Sequence, residues 1–83
     1  MKVMFKVIEC EEAINQVYNI CDEFDVAVFW EVCEERTLFA VIERVEGEKW
    51  KELERRIQEV FGDGYDVTIL HYELEILVIH RKQ

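Results

Sequence analysis

At 83 residues, the chain is bounded to one domain, residues 1–83, whose core stays modest because a chain this short buries only about 60–65% of the surface it exposes unfolded. Hydrophobic residues make up 51% and charged residues 35%, a globular balance, and no apolar run approaches the roughly 18 residues a membrane span needs. The formal net charge of −9 speaks against nucleic acid and anionic membranes, which are bound through Lys and Arg clusters, and favours basic protein partners.

The chain opens on Met1-Lys2 and runs straight into alternation, Lys2 to Glu9, which predicts a strand and shows neither the continuous apolar stretch nor the cleavage site of a signal peptide. From Cys10 to Phe24, Ala13, Ile14, Val17, Cys21 and Phe24 recur at three- and four-residue spacing, the stripe of an amphipathic helix. Glu11 and Glu12 stand in its first turn, where carboxylates favour the helix dipole.

Val26 to Val45 organises the rest. Two runs rich in Val, Phe, Trp, Ile and Thr flank Glu34-Glu35-Arg36 and predict a β-hairpin. Without Gly or Asn at the turn, a loop of about three to five residues is favoured over a two-residue primed turn. Alternation places Val26, Val28, Trp30, Val32, Phe39 and Val41 on one face and Ala27, Phe29, Glu31, Cys33, Leu38, Ala40 and Ile42 on the other. Phe5-Lys6-Val7-Ile8-Glu9 echoes Phe39-Ala40-Val41-Ile42-Glu43. Equating the two makes Phe5, Val7, Phe39 and Val41 core, and leaves the Leu38, Ala40, Ile42 side as an unusually apolar outer face.

A second helix is expected from Gly47 to about Phe61, with Trp50, Leu53, Ile57 and Val60 or Phe61 on its buried stripe. Its cations, Lys49, Lys51, Arg55 and Arg56, are interleaved with Glu48, Glu52, Glu54 and Glu59, so it reads as a solvated face and not as a basic patch. Gly62-Asp63-Gly64 marks a helix C-cap and a turn. Seventeen extended residues from Tyr65 to Arg81 would span roughly 56 Å, too long for one strand of so small a domain. The phase of the apolar residues breaks near His71 to Glu75, where a bulge or bend is expected.

The element order β-α-β-β-α-β resembles the ferredoxin-like split βαβ fold, an α+β sandwich with an antiparallel sheet, two helices on one face and a long or bent C-terminal strand extension. That resemblance implies a sheet face left free for RNA, a small ligand or another sheet; it does not assign a function. RNA is disfavoured by charge and by the third strand, Arg36 to Glu43, which lacks the glycine and paired aromatics of an RRM.

Three cysteines, Cys10, Cys21 and Cys33, with no Cys-x-x-Cys pair, argue for small core residues and a reducing, cytoplasmic setting. Abundant Glu points faintly to a thermophilic source, while the absence of Pro points the other way. His71-x-Glu73-x-Glu75 offers weak metal candidates in His71 and Glu73, although edge-strand charge explains the pattern as well. With no Ser, only two Thr and no phosphate loop, no catalytic residue and no cofactor is identified, and an enzyme is disfavoured; Glu9 and Glu43 form the carboxylate pair to watch. The expected role is a non-enzymatic interaction or assembly domain, a homodimer joined through Phe29, Leu38, Ala40, Ile42, Leu70, Tyr72, Leu74, Ile76 and Val78. The alternatives are a small-molecule sensor resembling ACT-type regulatory domains, with its ligand at the dimer boundary, and an acidic inhibitor or decoy of a basic partner.

Overall fold

The structure of the protein is a computed structural model and describes residues 9–82. The strand expected from Lys2 onward, with Phe5 and Val7 as core, therefore lies outside the described residues, Glu9 excepted. Two helices, α1 (Cys10–Glu23) and α2 (Lys49–Phe61), cover one face of a sheet formed by β1 (Val28–Glu34), β2 (Thr37–Ile42), β3 (Tyr65–His71) and β4 (Glu75–Arg81). The sheet order is β1-β2-β4-β3 with every neighbour antiparallel, a small ferredoxin-like α+β sandwich with the C-terminal strand in a central position.

The apolar stripe of α1 is fixed by its spacing: Ala13, Val17, Ile20 and Cys21 are all buried. The helix ends where Asp25 takes a left-handed φ of 58°. The N–H of Val26 then donates to the carbonyl of Cys21 at 2.8 Å and that of Asp25 to Asp22 at 3.1 Å, the paired bonds of a Schellman cap. In α2, Leu53 and Ile57 are fully buried, and Gly62 ends the helix with φ 87°, its N–H donating to the carbonyl of Gln58.

The hairpin turn is tighter than its residues predict. Glu34 pairs with Thr37, so Glu35 and Arg36 alone make the loop, and Glu35 adopts a positive φ of 36°. The turn is held from outside: Arg36 Nη2 donates to the carbonyl of Arg81 at 2.9 Å, and the Arg81 N–H donates back to the carbonyl of Arg36 at 2.7 Å. The long C-terminal segment resolves into two strands, with Tyr72 to Leu74 as a hairpin loop between the paired His71 and Glu75. Arg44 Nη2 binds the carbonyls of Tyr72 and Glu73 at 2.9 and 2.8 Å and so pins that loop to the end of β2.

Which side of the sheet meets the helices is the reverse of the expectation. Leu38, Ala40 and Ile42 of β2, with Val67, Ile69, Leu77 and Ile79 of the C-terminal hairpin, form the core with α1 and α2. Trp30, Val32, Phe39 and Val41 face outward. The two co-facial sets of β1 and β2 hold from Trp30 onward, with a bulge between Val28 and Trp30 returning Val28 to the core side. The reversal has a packing reason: aliphatic Leu, Ile and small Ala let two helices approach the sheet closely, whereas Trp30 and Phe39 would hold them off.

Candidate functional site

Register builds the free side of the sheet into three cross-strand rows. The first reads Trp30, Val41, Ile76, Leu70; the second Val32, Phe39, Val78, Thr68; the third Glu34, Thr37, His80, Asp66. Two rows are thus apolar but for one Thr, and polarity is confined to the third. Trp30 remains 58% exposed and Phe39 39%. Phe29 in the β1 bulge is 65% exposed, and Tyr72 and Leu74 of the β3–β4 loop are also exposed. By strand rise and spacing the two rows cover roughly 260 Å², and the exposed Phe29, Tyr72 and Leu74 beside them extend the apolar area into the range of the largest patches on monomeric proteins, which are often functional.

Of the residues expected at an interface, Leu70, Ile76 and Val78 lie in these outer rows, and Phe29, Tyr72 and Leu74 stand beside them. Leu38, Ala40 and Ile42 do not: each is at most 1% exposed, beneath the helices. Trp30, Val32, Phe39 and Val41 take their place on the free side. Parity alone put the two sets on opposite faces; the signal that could have oriented them is Cys33, which shares a face with Leu38 and turns toward α1.

That orientation is fixed covalently, since Cys10 in the first turn of α1 and Cys33 of β1 form a disulfide with Cα atoms 5.9 Å apart. The sequence reading gave no disulfide, and with this bond the cysteine count ceases to argue for a reducing compartment. Cys21 is a buried free thiol, as expected of a small core residue. On the same side Tyr18 Oη donates to Glu31 Oε2 at 2.9 Å, and this hydrogen bond to a carboxylate raises the Tyr18 pKa.

A second polar arrangement lies at the far end of the sheet, on its helix-covered side. Glu75 opens β4 with a carboxylate only 3% exposed, cross-strand from His71. His71 Nδ1 stands 2.5 Å from Glu75 Oε2 but outside hydrogen-bond alignment, so the contact is an ion pair whenever the imidazole is protonated. Arg44 Nε lies 4.0 Å from Oε1, and Trp50 meets the His71 ring edge-on with centroids 4.3 Å apart. Glu73 is carried into the hairpin loop, where its carbonyl accepts from Arg44. Among the described residues no three His, Cys, Asp or Glu side chains gather to hold a metal ion.

Glu9 and Glu43 are not a dyad. Glu9 precedes α1 and its carbonyl accepts the Ala13 N–H at 2.8 Å, whereas Glu43 Oε1 accepts the Ala27 N–H at 3.0 Å beyond the other end of that helix. Among the described residues no helix is long and apolar enough to cross a membrane. No protein-family profile matches the chain, and no curated protein matches it.

Proposed function

We propose that this protein is a small non-enzymatic assembly domain that pairs with a second copy of itself through the outer face of its sheet. The observation that supports this reading is the pair of apolar rows across all four strands, in a chain of which 35% is charged. Two such faces stack about 10 Å apart with their side chains interdigitated. An isologous contact of the first two rows leaves Glu34, His80 and Asp66 at the border, giving an apolar centre and a polar rim. Phe29, Tyr72 and Leu74 enlarge the contact toward the standard footprint of about 800 Å² per partner. The carboxylates of α1 lie on the other side of the sheet, so the net charge does not oppose the approach at short range.

Light scattering on a sizing column over a concentration series tests this reading. The expected mass is twice the 10.0 kDa of the chain. A double variant, Phe39→Glu with Val78→Glu, should halve it while leaving the far-ultraviolet spectrum unchanged, because neither side chain enters the core. A monomeric wild type, or a variant that keeps the doubled mass, overturns the reading.

A further inference from the structure

The two edges of the sheet are finished differently. On β3, α2 places side chains on the outward backbone: Gln58 Oε1 accepts the Val67 N–H at 3.1 Å, Glu54 Oε2 accepts the Ile69 N–H at 2.8 Å, and Gln58 Nε2 donates to the Tyr65 carbonyl at 2.8 Å. These are the groups an added strand would need, and they are occupied. On β1 no side chain of the described residues binds the backbone between Val28 and Glu34; the nearest such bond, from Glu43, goes to Ala27 ahead of the strand. An edge strand turns the N–H and C=O of alternate residues away from its sheet, so about half of the β1 backbone has no partner among the described residues.

Charge says what that edge takes. From Glu9 to Glu35 the sequence contains nine Asp and Glu and no Lys or Arg, a stretch whose charge alone equals the −9 of the whole chain. The fold gathers this stretch into one unit, since α1 packs on β1 and is bonded to it through Cys10 and Cys33. The open edge is therefore bordered by Glu31, Glu34 and Glu35, with the α1 carboxylates behind. A second copy of β1 is a poor occupant, because pairing would set like charges opposite one another.

We propose that β1 is a docking edge for a basic, extended segment of another protein, which adds to the sheet as a fifth strand over Trp30 to Glu34. Backbone hydrogen bonds supply the pairing, and Lys or Arg side chains lie among the β1 carboxylates. The edge is distinct from the outer sheet face, and the proposal does not depend on self-association.

The test uses the isotope-labelled full chain and two synthetic peptides of about ten residues. One alternates Lys and Val; the other keeps every Lys but replaces Val by Pro, which removes backbone donors and strand pairing at equal charge. The expected result is amide shifts centred on residues 30–34 with the Lys–Val peptide, at least about tenfold weaker binding of the Pro peptide, and about tenfold loss of affinity between about 50 and about 300 mM salt. Glu31→Lys with Glu34→Lys, both on the accessible edge strand, should weaken the Lys–Val peptide by a similar factor with the spectrum otherwise native. Equal binding of the two peptides, shifts centred on β3 or the outer face, an unaffected double variant, or no binding overturns the proposal.

Discussion

Cys10 Sγ is bonded to Cys33 Sγ, which ties the first turn of α1 to the next-to-last residue of β1 across 23 positions of sequence. Helix and strand are the two most acidic elements of the chain and repel each other, and the covalent link holds them together regardless of salt. Closing a loop of this length removes unfolded-state freedom and contributes about 3 kcal/mol in the chain-entropy account. Urea unfolding with and without a dithiol reductant should show a loss of that order. A Cys10→Ser, Cys33→Ser variant should match the reduced protein and ignore the reductant; equal midpoints for oxidised and reduced wild type would contradict the assignment.

The orientation of the sheet can be read from two adjacent residues. Leu38 is fully buried under the helices, while Phe39 points to the free side. Leu38→Ala should therefore cost about 3 kcal/mol through lost burial and a residual cavity. In a dilute, dissociated sample Phe39→Ala should cost under about 1 kcal/mol, though it removes the larger side chain. If Phe39→Ala is the more damaging change there, the helices cover the opposite face.

The elements were legible in the sequence where periodicity and punctuation agree. The α1 stripe, Gly62 as a cap and the break near His71 all follow from local residue chemistry, and the structure keeps them. The facing of the hairpin was not legible, because β1 and β2 carry apolar side chains on both sides and parity sorts residues into sets without saying which set is inside. Treating large Phe39 as core reversed the answer; small Ala40, which permits close helix approach, was the better guide. The two-residue turn at Glu35 was also hidden, since its positive φ is held by a long-range exchange between Arg36 and Arg81. Likewise the buried Glu75 was indistinguishable from edge charge until His71 and Arg44 were brought to it.

Closure of the β3 edge rests on Gln58 and Glu54 and makes a separate prediction. Gln58→Ala frees the Val67 N–H and the Tyr65 carbonyl, two half-buried groups whose pairing with water is imperfect, and should cost about 1–2 kcal/mol in urea unfolding. Glu54→Gln should be close to neutral, because an amide oxygen still accepts from Ile69; Glu54→Leu should not be. The combined Gln58→Ala, Glu54→Leu variant should also gain concentration-dependent association through the uncovered edge. A variant that unfolds and sizes like the wild type would show that these side chains do not guard β3.

Cys21, 1% exposed within the core, has its pKa pushed up to about 11 by burial. The thiol is therefore protonated at pH 8, with a thiolate fraction on the order of 10⁻³, and should react with iodoacetamide more than about a hundredfold more slowly than in the urea-unfolded chain. The same shift sets a direction for stability. Below about pH 7.5 both folded and unfolded chains keep the proton and Cys21 has no effect. As pH rises through the unfolded value near 9 toward 11 the unfolded chain releases it while the folded chain retains it, so stability falls, by at most about 2–3 kcal/mol. Cys21→Ala removes the titrating group and should lose less stability over that interval than the wild type, the tyrosines and lysines being common to both. Parallel stability curves for the two proteins between pH 9 and 11 would mean that the thiol ionises as readily folded as unfolded, and would place Cys21 in contact with water.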